Sequence, residues 1–117
     1  MGRLKCNIDV SFSDSLNRTG ISICIRDDEC TFILAKTVSL SPRYPVPIDE
    51  ALGLFHAIQW LGDMKFDNIN FALDSQITIN AFNHQREDVS EFGQVISTCK
   101  RLFTSLFSNS KVEFNRR

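Results

Sequence analysis

Leu4-Lys5-Cys6-Asn7-Ile8-Asp9-Val10-Ser11-Phe12 alternates without a break. Leu4, Cys6, Ile8, Val10 and Phe12 are apolar, and the four residues between them are polar. Side chains of a strand alternate between faces, so the stretch predicts a strand with one buried and one polar face. Asp9 lies at the middle of the polar face. Taken alone, Asp9 reads as a solvated strand residue. It gains meaning only with two later carboxylates, Glu50 and Asp74, which come beside it if the chain folds around this strand.

Working outward, Ser13–Thr19 is polar and carries turn chemistry, with Asp14, Ser15 and Asn17 followed by Gly20. Ile21–Ile25 alternates again and predicts a second strand. Arg26–Glu29 is a charged turn, and Thr31–Ser39, β-branched and apolar, predicts a third strand. Three strands joined by short turns form an antiparallel meander. Ser41–Pro47 holds three prolines, which remove donors and restrict their predecessors, so it predicts a connection across the sheet end.

Pro47 stands where a helix begins, with Asp49 and Glu50 in the first turn, where acids suit the helix dipole. Ala51, Leu54, Phe55, Ile58 and Leu61 follow helical spacing. Glu50 falls in line with Leu54 and Ile58, which aims it inward, although a first-turn acid leaning to solvent fits the same pattern. Ile69–Leu73 is a fourth strand ending in Asp74-Ser75, with helical Gln76–Asn83 after it. Strand, helix, strand is a crossover that sets the first and fourth strands parallel and adjacent. Asp74 then lies at the carboxyl end of its strand, the sheet edge where α/β proteins bind ligands. Asp74 could also cap the following helix, but Ser75 can do so equally well. His84–Val89 is a polar loop, Ser90 a helix cap, and Phe92–Phe107 the most regular apolar stripe of the chain. Lys111–Arg116 alternates around Val112 and Phe114 as a fifth strand.

The 117 residues read as one domain, 1–117, and 43% hydrophobic residues is ordinary for a globular chain. No run approaches the roughly 20 apolar residues of a membrane span, and the first residues carry no signal-peptide core, so an intracellular place, nuclear or cytoplasmic, is expected. The four cysteines, Cys6, Cys24, Cys30 and Cys99, are read as reduced, buried small hydrophobes, and with two histidines they make no zinc pattern. Net charge is −1. Residues 44–92 carry eight acids against two bases, and residues 93–117 five bases against one acid. Such a split fits a metal site beside a phosphate-contacting surface, although solvated faces also differ by chance.

Three carboxylates at one sheet edge cannot all stay ionised without cations. Hard divalent ions with oxygen ligands suit them, Mg²⁺ above all beside phosphates, with Mn²⁺ as a substitute. Two ions about 3.5–4 Å apart can activate water and stabilise the leaving oxygen of a phosphodiester.

The chain resembles the ribonuclease H fold, and specifically the reverse-transcriptase-like RNase H domains abundant in plant genomes. The resemblance is carried by Lys5–Asp9, Gly20 through Arg26-Asp27, Asp49-Glu50-Ala51-Leu52-Gly53-Leu54 with Ala57 and Trp60, Leu73-Asp74-Ser75, Asp88–Gly93 and Val112–Arg117. It implies an α/β fold with a five-stranded mixed sheet, strands 1–3 antiparallel and strands 1, 4 and 5 parallel, with helices packed on it. It implies Asp9, Glu50 and Asp74 as catalytic metal ligands of a two-ion Mg²⁺ or Mn²⁺ site, and the RNA strand of an RNA–DNA hybrid as substrate. Asn7, Ser11, Ser75, Arg116 and Arg117 are candidate nucleic-acid contacts. The family usually has a small residue, often Gly or Ala, after the first Asp, where this chain has Val10, and it continues into a final helix that in active members supplies a fourth acid or a nearby His. The chain is therefore expected to be an RNase H-like domain without that helix, a monomer or weak dimer. The alternative is the same fold, degenerate in catalysis and kept for binding nucleic acid or protein. A serine hydrolase using His56 or His84 is poorer, because no nucleophile-elbow motif supports it.

Overall fold

The structure, a computed structural model, describes residues 2–84 and 88–114. Its elements are β1 (Leu4–Ser13), β2 (Arg18–Arg26), β3 (Phe32–Leu40), α1 (Val46–Asp63), β4 (Ile69–Leu73), α2 (Gln76–Asn83), α3 (Glu91–Leu106) and β5 (Lys111–Phe114). They form one mixed sheet in the order β3-β2-β1-β4-β5. β1 pairs antiparallel with β2 and parallel with β4, β2 pairs antiparallel with β3, and β4 pairs parallel with β5. The expected five-stranded mixed sheet is the one observed.

The alternation that opens the chain holds at its centre, with Leu4 and Val10 half-buried, but Phe12, expected on the buried face, is exposed and lies against Arg43. Cys6 and Ile8 of β1 are buried with Ile21, Ile23 and Ile25 of β2, Ile69, Phe71 and Leu73 of β4 and Val112 of β5. They meet Leu54, Ala57, Ile58 and Leu61 of α1 and Cys99 of α3. Phe71 joins an aromatic cluster centred on Phe103, with ring centroids 6.0 Å from Phe103 and 5.2 Å from Phe107. The other sheet face carries Lys5, Asn7, Asp9 and Ser11, all exposed or half-buried.

Gly53 lets α1 lie close to β1. A Cβ there would stand 2.8 Å from Val10 Cγ2 and 3.4 Å from Ile8 Cγ2. The bulk of Val10, where the resembled family keeps a small residue, is thus taken up by a glycine on the facing helix.

Several boundaries differ from expectation. β2 begins at Arg18, inside the stretch read as a turn, because Thr19 is a buried polar residue paired with Phe12. α1 begins at Val46 with Pro45 as its N-cap residue, so Pro47 is its second residue, where a missing N–H leaves no helical bond unmade. Ser75 and Ser90 cap α2 and α3 as expected, accepting from the N–H groups of Thr78 and Gly93. Cys6 and Cys99 are buried, but Cys24 is half-buried on the open face opposite Asn7, and Cys30 is exposed in the β2–β3 turn. Burial pushes the Cys6 and Cys99 thiols up to about 12, so both stay neutral, and all four cysteines are free. No described helix is long and apolar enough to cross a membrane.

Candidate active site

The β1–β4 pairing ends at Ile8↔Leu73. One further step of the register sets Asp9 beside Asp74, at the carboxyl end of β4. β1 itself continues to Ser13, paired with β2. From Asp9 onward its β4 flank carries no ladder, and the two faces of the sheet meet at this notch. α1 lies on the buried face and brings its first turn to the same place. An acid on the open face, one after a strand and one on a helix thus lie towards the same end of the sheet.

Electrostatics show the convergence of two of them. The Glu50 carboxyl is raised above its ordinary value, first by burial and then by the Asp74 charge, while a hydrogen bond with the Ser75 side chain opposes the rise. Asp9 and Asp74 are exposed. The donor set, carboxylates at a sheet edge with mutual repulsion to relieve, has the chemistry of a hard divalent-cation site. Among the described residues, however, no three His, Cys, Asp or Glu side chains stand gathered so that they could hold a metal ion. The fit is thus one of topology and donor chemistry, with Glu50 and Asp74 drawn together and Asp9 one register step away.

The other candidates sort differently. Asn7 is half-buried on the open face between Cys24 and Ala72, and Ser11 is exposed, its hydroxyl donating to the Gly20 carbonyl at 3.4 Å. Ser75 is 8% exposed. Its hydroxyl donates to Thr78 Oγ1 at 2.9 Å, so Ser75 serves the helix cap and Glu50 more than any outside ligand. Arg116 and Arg117 lie outside the described residues. His84 Nδ1 contacts the Asn80 carbonyl at 2.7 Å. His56 packs edge-on to Phe55, and burial followed by the charge of Lys36 lowers its pKa.

The sequence reading missed Asp49. This residue, not Glu50, is the fully buried acid of α1. Its Oδ2 accepts from the Thr19 hydroxyl at 2.6 Å and from the Tyr44 N–H at 3.2 Å. Its Oδ1 has no hydrogen-bond partner. The signal was present in the spacing, since Asp49 is in line with Gly53 and Ala57, both buried. Arg43 was missed as well. It pairs with Asp14 and lies 4.9 Å from the Phe12 ring centre, tying the β1–β2 turn to the connection before α1.

A family model described as "Reverse transcriptase-like" matches residues 7–117. No curated protein matches the sequence. Among solved structures, RNase H1 from the halophilic archaeon Halobacterium salinarum superposes with a TM-score of 0.81 at 15% identity, covering 99% of this chain and 87% of that one. LC11-RNase H1, solved in complex with an RNA/DNA hybrid, gives 0.81 at 11% identity, covering 98% and 86%. The N-terminal RNase H domain of a Mycobacterium tuberculosis protein gives 0.77 at 12% identity, covering 100% and 84%. At such identities the likeness is one of fold, and the fold is that of RNase H.

Proposed function

The chain belongs to the reverse transcriptase-like family, and from that premise we propose that it is a metal-dependent endoribonuclease acting on the RNA strand of RNA–DNA hybrids. The observation that carries the reading is the meeting of Glu50 with Asp74, close enough for the Asp74 charge to raise the Glu50 carboxyl, one register step from Asp9. The quoted motifs around Glu50 and Asp74 support a place among the RNase H domains abundant in plant genomes. An intracellular place of action, in nucleus or cytoplasm, suits such a substrate.

Bound Mg²⁺ ions would supply an activated water and charge relief for the leaving 3′-oxygen. Asp9, midway along β1, and Asp74, just after β4, would hold the ions, and Glu50 would complete the site and orient the water. Ser75 lies beside Glu50 and lowers its carboxyl against the rise caused by burial and Asp74. The polar open face, with Asn7 and Ser11, would lie along the substrate backbone, where a 2′-hydroxyl distinguishes RNA from DNA.

A second reading is the same fold without catalysis, binding nucleic acid or protein. It is favoured by the lack, among the described residues, of three side chains gathered to hold a metal ion. Cleavage of a labelled hybrid in Mg²⁺ and then Mn²⁺, beside Asp74→Asn, separates the two. Cutting by the wild type and not by the variant supports the nuclease. Hybrid binding without cutting by either supports the second reading.

A further inference from the structure

Asp49 is an expensive residue with no role in the reading so far. It is 0% exposed, and one carboxylate oxygen lacks any partner. Burying a charged group with an unmade hydrogen bond is unfavourable, so its contacts are the place to look for what it does.

Asp49 joins three segments. Thr19, itself 0% exposed, belongs to the start of β2, and Tyr44 to the connection before α1. Asp49 sits in the first turn of α1, whose N-cap residue Pro45 makes no side-chain cap bond. The 2.6 Å Thr19 contact is at the short end for a hydroxyl on a carboxylate, as charge-assisted bonds are. Consecutive residues of an α-helix are turned by about 100°. Once Asp49 is tied inward to Thr19, the azimuth of Glu50 is set one step round the helix, where it is half-buried rather than enclosed.

We propose that Asp49, anchored by Thr19, is a positioning residue for the carboxylate site: it sets the rotation of the first turn of α1 and thereby the place of Glu50. This deepens the nuclease reading and rests on it. Asp49, enclosed and bonded to Thr19 and Tyr44, acts through the helix and not at the reacting atoms. Supporting groups behind metal ligands change metal affinity or activity by roughly 10- to 100-fold when lost.

The test uses the full chain, with Thr19→Val, which keeps the shape and removes the hydroxyl, and Thr19→Ser, which restores it. Mn²⁺ binding is titrated by water-proton relaxation, and kcat and KM for a hybrid are measured at a temperature where melting curves show every protein folded. The expected result is Mn²⁺ binding weakened roughly tenfold or more in Thr19→Val, with kcat lowered, KM for the hybrid unchanged, and both losses recovered in Thr19→Ser. If Thr19→Val does not fold, Asp49→Asn takes its place with the same expectation. Thr19→Val binding Mn²⁺ and cutting as the wild type does overturns the inference alone. A wild type that binds no Mn²⁺ overturns the nuclease reading and this inference with it.

Discussion

Gly53→Ala should change sign with the residue at position 10. In an exposed helix interior, Gly→Ala is stabilising by about 1 kcal/mol. Here the new Cβ would lie 2.8 Å from Val10 Cγ2, 3.4 Å from Ile8 Cγ2 and 3.8 Å from Ile21 Cγ2. The first distance requires something to move, and Val10, β-branched and held in a strand, has few rotamers to use. Overpacking of this kind costs about 1–3 kcal/mol. Gly53→Ala in the natural chain should therefore be destabilising by about 1 kcal/mol net. Val10→Ala removes the obstructing methyl groups, and in that background Gly53→Ala should be stabilising by about 1 kcal/mol. The coupling between the sites is then about 2 kcal/mol, within the range for residues in contact. Urea denaturation of the four proteins, followed by circular dichroism, measures it. Additive effects, or a stabilising Gly53→Ala in the natural chain, would refute the close approach of α1 to β1. That approach also brings Glu50 to the sheet edge, so the single variant should cut hybrid more slowly and the double variant should recover.

Glu50→Gln should raise the melting temperature near neutral pH while abolishing cleavage. Burial and Asp74 raise the Glu50 carboxyl, so the folded chain holds the proton more tightly than the unfolded one and stability falls as pH rises from the ordinary glutamate value through the raised one. Calorimetry from pH 4 to 8 should show that part of the slope vanish in Glu50→Gln, and a variant melting lower than the wild type at pH 7 contradicts the repulsion. Asp67 behaves in the opposite sense: burial pushes its carboxyl up, but the Ser110 hydroxyl and the N–H groups of Asn68, Ser108 and Asn109 outweigh this and hold it at about 2. Its stabilisation is present above about pH 4 and is lost as pH falls towards the folded value. Because Asp67 is partly exposed, Asp67→Ala should cost only about 1–2 kcal/mol in urea at pH 7 and nearly nothing at the lowest pH that keeps the fold. Phe71→Ala removes the fully buried ring of the aromatic cluster and should cost about 3–5 kcal/mol, and a loss under 1 kcal/mol by denaturation would mean the ring is not buried as described.

Where local pattern and tertiary environment agree, the chain could be read directly. Leu4–Phe12 alternates because one face is solvated and the other packs on α1, and Ser75 and Ser90 cap helices through their own neighbouring N–H groups. The crossover that sets β1 beside β4 follows from element order, and with it the nearness of Asp9 and Asp74. What could not be read depends on partners distant in sequence. Thr19 looks like turn chemistry until Asp49, 30 residues on, is seen to accept its hydrogen. Asp49 is in register with Gly53 and Ala57 and Glu50 with Leu54 and Ile58, so both rows of α1 run inward, and only the packing of α1 shows that Asp49 is the one fully buried. Cys24 shares the polar face of its alternating strand with Ser22, and Cys30 follows the charged turn, so their escape from the core was legible in the pattern that residue type alone obscured. Val10, a bulky residue after the first Asp, makes sense only against Gly53.

The most direct measurement is to titrate ¹⁵N-labelled protein with substoichiometric Mn²⁺ and identify the amide signals that broaden first. A carboxylate site at the notch predicts loss of the signals of Asp9, Val10, Glu50, Asp74 and Ser75 together, and their survival in Asp74→Asn. Broadening centred elsewhere, as at Asp27-Asp28-Glu29, or unchanged in the variant, would contradict it.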